Sequence, residues 1–151
     1  MFAAERHEEI ARTVSRERRA PGRLLLHDQR YPGHPDHVVS AELRALLSEQ
    51  TDAAGRTLEI VDLPAPPTLR DHEGFVDWSY VNHLVVDGGV IACGFGEERA
   101  DADAAAILAE AYPGREVVTV DAREIFARGG GIHCITQQQP RTTPAETAGP
   151  A

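Results

Sequence analysis

The apolar positions of this chain fall into short blocks of two spacings, and together they predict a succession of strands and helices. Leu24 to Leu26 is a continuous apolar run of strand length that follows a Pro21-Gly22 turn. A polar stretch from Asp28 to Asp36, containing Pro32-Gly33 and Pro35, predicts a reversal of the chain. Val39, Leu43, Leu46 and Leu47 then recur at helical spacing, with Ser40 or Asp36 placed to cap the start. Leu58, Ile60 and Leu63 have the alternation of a strand, before Pro64, Pro66 and Pro67 bar regular structure.

The second half has a cleaner pattern. Tyr80 to Val86 is rich in aromatic and β-branched residues and predicts a strand, Asp87-Gly88-Gly89 supplies a tight hairpin, and Val90 to Cys93 returns as its partner. Ala104, Ile107, Leu108 and Ala111 stand three or four apart in an Ala-rich helix that Pro113-Gly114 ends. Glu116 to Val120 predicts one more strand, and Ile125 and Phe126 a short helical turn. The order strand, hairpin, strand, helix, strand in this half repeats the strand, helix, strand of the first, which lacks the opening strand. The chain therefore divides into an atypical charged segment (1–20), two α/β units (21–140) of which the first is truncated at its front, and a Pro/Thr/Ala-rich tail (141–151). Within the charged segment only Phe2, Ile10 and Val14 offer helix anchors, and it reads as a frayed helix or an unordered arm.

At 151 residues and 42% hydrophobic content the chain has the material of one ordinary domain or a piece of one. The first twenty residues carry charges where a secretion signal needs an apolar run, and no apolar stretch approaches membrane-spanning length, so the expected location is cytoplasmic, with no membrane partner. A net charge of -9 argues against nucleic acid, whose phosphates are held by clustered Lys and Arg, and mildly favours a small cation. The two cysteines, Cys93 and Cys134, are too few for a disulfide framework, and no cluster has metal-ligand spacing. Neither a metal nor a cofactor is expected.

Chemistry concentrates in the window Gly129-Gly130-Gly131-Ile132-His133-Cys134-Ile135-Thr136-Gln137-Gln138-Gln139-Pro140. Three consecutive glycines cost the most entropy on ordering, which implies positive φ or close backbone approach there. A cysteine just beyond such a loop can sit at a pocket edge, and because its thiolate is the reactive form, a working site needs donors or a cation beside it. The alternative is a buried core cysteine, the commoner fate of a free thiol. His133 does not decide between them, since neighbours on an extended chain point to opposite faces. Asn82 and Trp78 on the Ser79-Tyr80 strand read as core or rim before pocket, Cys93 as core, and Asp71, Glu73 and Asp77 as a solvated acidic loop.

The glycine-histidine-cysteine window, with Ser79-Tyr80-Val81-Asn82, Asp87-Gly88-Gly89-Val90 and Tyr112-Pro113-Gly114-Arg115-Glu116-Val117-Val118, resembles the C-terminal third to half of agmatine deiminase, over roughly Arg23 to Pro140. That family is related to the bacterial peptidyl-arginine deiminases. The resemblance implies part of a five-module α/β propeller, about two ββαβ-type modules of it. It also implies a cytoplasmic hydrolase in which Cys134 attacks the guanidinium carbon of agmatine, on the route to putrescine, with Gly129, Gly130 and Gly131 supporting the nucleophile. A guanidinium is a resonance-stabilised, poor electrophile, so such chemistry needs a soft nucleophile, carboxylates to clamp the group, and an acid-base group.

This chain departs from the family in those partners. Family members carry a Gly-His-x-Asp strand well upstream of the cysteine; Gly33-His34-Pro35-Asp36 imitates it but lies in a turn, and His7 sits among Glu and Arg residues in a solvated pattern. The alternative expectation is therefore a truncated, catalytically silent remnant or binding module, with uncovered module faces inviting self-association.

Overall fold

A computed structural model describes residues 22–53 and 55–137; the charged segment 1–20 and the tail 141–151 lie outside the described residues. Over the described residues the fold is mixed α/β, with two small open sheets, one of two strands and one of three.

The first unit is β1 (Arg23–Asp28), α1 (Asp36–Ser48) and β2 (Glu59–Pro64). β1 and β2 pair in parallel with Leu24 opposite Ile60 and Leu26 opposite Asp62. Parallel neighbours need a crossover, and the helical run between them provides it. Leu24, Leu25 and Leu26 are all buried, as a continuous apolar strand covered on both faces should be. Arg23 grips Glu59 through two hydrogen bonds of 3.1 and 3.2 Å at the start of the pair, and Arg44 of α1 pairs with Asp62 of β2. Neither predicted cap closes α1. Pro35 occupies the N-cap position, and the His34 ring takes over the duty, its Nδ1 accepting the Asp36 N–H at 3.1 Å while Nε2–H donates to the Val76 carbonyl at 3.1 Å. Ser40 instead turns inward and accepts the Gln29 N–H.

The second unit is β3 (Leu84–Val86), β4 (Gly89–Gly94), α2 (Glu98–Ala111) and β5 (Glu116–Asp121), with strand order β3-β4-β5. β3 and β4 form the expected hairpin, with Gly88 at φ +77, and β4 and β5 run parallel around α2. Ala104, Leu108 and Ala111 form the buried stripe of α2, which begins six residues before the apolar period does. Phe95, just past β4, stands at the centre of the core, with Trp78 stacked at 5.0 Å and Tyr80 and Phe126 edge-on at 5.2 and 5.1 Å. Leu25 and Leu63 of the first unit join the same cluster, so the two units share one core.

The strand expected over Tyr80 to Val86 forms only at Leu84–Val86. Residues 80–83 join no ladder and turn at Tyr80–Val81 instead, because their backbone groups are bonded within the segment and by Cys93. Asn82 N–H bonds the Ser79 carbonyl at 3.3 Å, Cys93 Sγ–H donates to the Asn82 carbonyl at 2.8 Å, and His83 Nδ1–H donates to the Tyr80 carbonyl at 3.0 Å. His27 of β1 holds the Ser79 hydroxyl at 2.8 Å, tying the turn to the first unit.

His83 is buried, and its Nε2 accepts the Tyr112 hydroxyl at 2.9 Å, which leaves the neutral ring fully satisfied. Burial holds its pKa below 6.5, with nearby His133 adding to the effect against the Tyr80 carbonyl. Because the folded chain takes up this proton less readily than the unfolded one, the neutral ring's contribution is intact at pH 7.5 and drains away as pH falls below 6.5. Urea midpoints at pH 7.5 and 5.5 should differ more for the wild type than for His83→Gln; equal differences would show that another group carries the acid sensitivity.

Among the described residues no helix is long and apolar enough to cross a membrane, and no group of His, Cys, Asp and Glu is arranged to hold a metal ion.

Candidate active site

Cys134 lies on a 3-10 turn, His133–Ile135, reached from β5 through the short helix α3 (Arg123–Phe126) and the glycine loop. Its thiol is exposed, so the core reading of this cysteine is excluded, whereas Cys93 is buried as expected. Cys134 N–H bonds the Gly131 carbonyl at 3.1 Å, which bends the segment into the turn rather than leaving it extended.

Each of the three glycines answers a different constraint. Gly129 adopts φ +95 with open space around it, so its reason is backbone conformation. A Cβ on Gly130 would meet Cys134 Cβ at 2.9 Å and Sγ at 3.0 Å. One on Gly131 would meet Asn82 Cγ at 2.5 Å and Phe126 Cε2 at 2.7 Å. The loop thus packs its backbone directly against the cysteine and against the turn opposite.

Asn82, in that turn, is the residue that the sequence reads as core or rim before pocket and that the structure brings to the thiol. Its Oδ1 accepts the His133 N–H at 2.8 Å, which fixes the amide's orientation, since a backbone N–H can only donate. Nδ2 must then face the sulfur, 3.2 Å from Cys134 Sγ. An amide donor aimed at a sulfur holds it in one direction. The available signal was a polar residue inside an apolar run, Tyr80-Val81-Asn82-His83-Leu84, where asparagine has poor strand propensity.

Cys93 lies on the other side of Asn82, with its thiol on the Asn82 carbonyl. Burial raises its pKa to about 11, opposed by the Ile132 backbone and reinforced by Cys134, so at neutral pH it keeps its proton. Trp78 packs on Phe95 in the core, and Asp71, Glu73 and Asp77 are exposed, with Asp71 receiving the Glu73 and Gly74 N–H groups as a turn former. The Gly33-His34-Pro35-Asp36 string is structural, its buried histidine spent on the α1 start and on Val76. Among the described residues, the hydrogen bonds made at Cys134 come from the Asn82 amide and the Gly131 carbonyl, with no carboxylate or imidazole bonded to the sulfur.

The model of the Porphyromonas-type peptidyl-arginine deiminases matches residues 8–140. The chain belongs to this family. Its relatives include a Streptomyces coelicolor protein named "Putative agmatine deiminase", 49% identical over 142 residues that cover 93% of this chain and 40% of the relative. The agmatine deiminase of Pseudomonas aeruginosa is 38% identical, covering 80% of this chain and 37% of its own. Among solved structures, the agmatine deiminase of Enterococcus faecalis superposes with a TM-score of 0.72 at 29% identity, over 81% of this chain and 38% of that one. This deiminase-family chain therefore spans about two-fifths of the length of the curated relatives it matches.

Proposed function

We propose that the chain carries the nucleophile of a guanidine hydrolase of the agmatine deiminase type. The observation that carries this reading is an exposed thiol seated on a glycine loop against the amide of Asn82. In the reaction, Cys134 thiolate forms an S–C bond to the guanidinium carbon of agmatine. A C–N bond then breaks, and ammonia departs after protonation, leaving an S-linked thiouronium. Water adds to that carbon, the C–S bond breaks, and N-carbamoylputrescine leaves with the thiolate restored. The role of Asn82 is to keep the sulfur aimed, while Gly130 lets the loop close to the Cys134 side chain. The acid-base group comes from outside the polar contacts that Cys134 makes among the described residues.

In the same reading the order β3-β4-α2-β5 is one ββαβ module of a five-module propeller, and β1-α1-β2 is the later part of another. The exposed Val118 and Val120 of the edge strand β5 mark the face through which such modules, or copies of this chain, would associate. The net charge of -9 suits a cationic substrate and a soluble putrescine-forming enzyme better than a nucleic-acid or membrane ligand.

Ammonia release from agmatine, arginine and a peptidyl-arginine substrate tests the reading, alongside labelling by 2-chloroacetamidine, a cationic electrophile, and by neutral 2-chloroacetamide. The expected result is release from agmatine that Cys134→Ser abolishes, with labelling at Cys134 favouring the amidine by roughly tenfold over its ratio for a free thiol, the effect of one charge-assisted contact. A second reading, a chain that keeps the cysteine loop without turnover, is favoured by the sulfur having no carboxylate or imidazole bonded to it among the described residues. No ammonia at high protein concentration, with no preference for the amidine, would establish that reading and end the first.

A further inference from the structure

We infer that Cys93 is a positioning residue for Cys134, acting through Asn82; the inference rests on Cys134 being the reacting thiol. The two sulfurs lie on opposite ends of the same residue. Cys93 Sγ–H donates to the Asn82 backbone carbonyl at 2.8 Å, and Asn82 Nδ2–H donates to Cys134 Sγ at 3.2 Å. With its N–H on Ser79 and its Oδ1 on His133, Asn82 has every polar group engaged, and three of those four bonds fix where the fourth points. A turn without ladder hydrogen bonds has few other means of holding its carbonyl.

Cys93 suits this task and not that of a second nucleophile. It is 1% exposed on the central strand β4, a rigid element whose other side is occupied by β5, so its sulfur has a fixed origin. The buried thiol keeps its proton at neutral pH, and the proton is what the Asn82 carbonyl requires. A hydrocarbon side chain at this position would leave that carbonyl unpaired beside the core.

Packing and donation are separable because alanine and serine both leave a void where sulfur stood, while only serine keeps a donor. The experiment measures the rate of carboxamidomethylation of Cys134 by iodoacetamide at pH 7.5, read by peptide mapping and normalised to a free thiol, in wild type, Cys93→Ala and Cys93→Ser. The expected result is labelling about tenfold slower in the alanine variant, the effect of one lost hydrogen bond, and within about twofold of wild type in the serine variant. Urea midpoints establish that both variants fold. The inference is overturned if alanine labels within twofold of wild type, or if serine is as slow as alanine although both fold. Because labelling needs no turnover, an absence of ammonia release would sink the proposed hydrolysis without touching this result.

Discussion

Asp101→Ala is expected to lower the free energy of unfolding by about 3–4 kcal/mol, a large part of the stability of a domain this size. Asp101 lies in the first turn of α2 and reaches back to the loop that leaves β4. Its Oδ2 accepts the N–H groups of Phe95, Gly96 and Glu97 at 3.1, 3.0 and 3.2 Å, and its Oδ1 accepts the Tyr80 hydroxyl at 2.7 Å. Glu97, at the N-cap position, makes no side-chain cap, so this carboxylate is what satisfies the loop donors, and its charge also suits the positive end of the helix. Alanine removes all of these acceptors at once. Tyr80→Phe removes one donor and leaves the carboxylate with its three backbone partners, so its cost should be only about 1 kcal/mol. Asp101→Asn should fall between, because whichever way its amide turns, an NH2 group faces donors. Urea denaturation of the three variants gives the ranking; a Tyr80→Phe cost equal to that of Asp101→Ala would show that the phenol, not the loop, is what the carboxylate serves.

That arrangement links stability to the site. Tyr80 is fully buried and opens the turn that carries Asn82, and burial together with Asp101 raises its hydroxyl pKa, so the proton stays on the donor throughout the physiological range. From β1, His27 holds Ser79; from α2, Asp101 holds Tyr80; from β4, Cys93 holds Asn82; and Tyr112, at the end of α2, holds His83. Ser79, Tyr80, Asn82 and His83 are anchored to β1, to the two ends of α2 and to β4. The thiol at Cys134 is thus placed by the whole core and not by its own short loop.

The parts of the fold that could be read in the sequence are those whose physics is local. β1 is legible because Leu24 to Leu26 is buried on both faces, and α2 because Ala104, Leu108 and Ala111 repeat at the helix period. The turn at Tyr80–Val81 is not, since its residues lie inside the run from Tyr80 to Val86 that predicts a strand. Their composition favours a strand, but the partners that decide the matter lie 52 residues away at Cys134 and His27, 21 at Asp101 and 11 at Cys93. The cap of α1 failed for a related reason: Ser40 and Asp36 satisfy the usual preference, but the ring of His34 is held in place by Val76, which no local rule sees. In the site, the need for glycines at 129–131 was visible from their cost, yet the identity of the neighbour that forbids a side chain at Gly131 was not.

That neighbour gives the most discriminating prediction. Gly131→Ala would put a methyl group 2.5 Å from Asn82 Cγ, 2.6 Å from its Oδ1 and 2.7 Å from Phe126 Cε2. Phe126 is 6% exposed and packed on Phe95, so the amide is the group that yields, and in moving it gives up both the His133 N–H and the Cys134 sulfur. Overpacking of this kind costs about 1–3 kcal/mol of stability, and losing the donor on Sγ should slow labelling of Cys134 by roughly tenfold or more. Gly129→Ala, by contrast, meets no atom within 4 Å and carries only the strain of φ +95, about 1–2 kcal/mol, so it should destabilise the chain while leaving the labelling rate near wild type. Asn82→Ala alone should slow labelling as much as Gly131→Ala does, but it also vacates the space that the new methyl group needs. In the double variant the two substitutions should therefore not add: the stability cost of Gly131→Ala should shrink by about 1–2 kcal/mol and labelling should slow no further. Stability costs and labelling losses that sum in the double variant would mean that Gly131 and Asn82 act on Cys134 by separate routes.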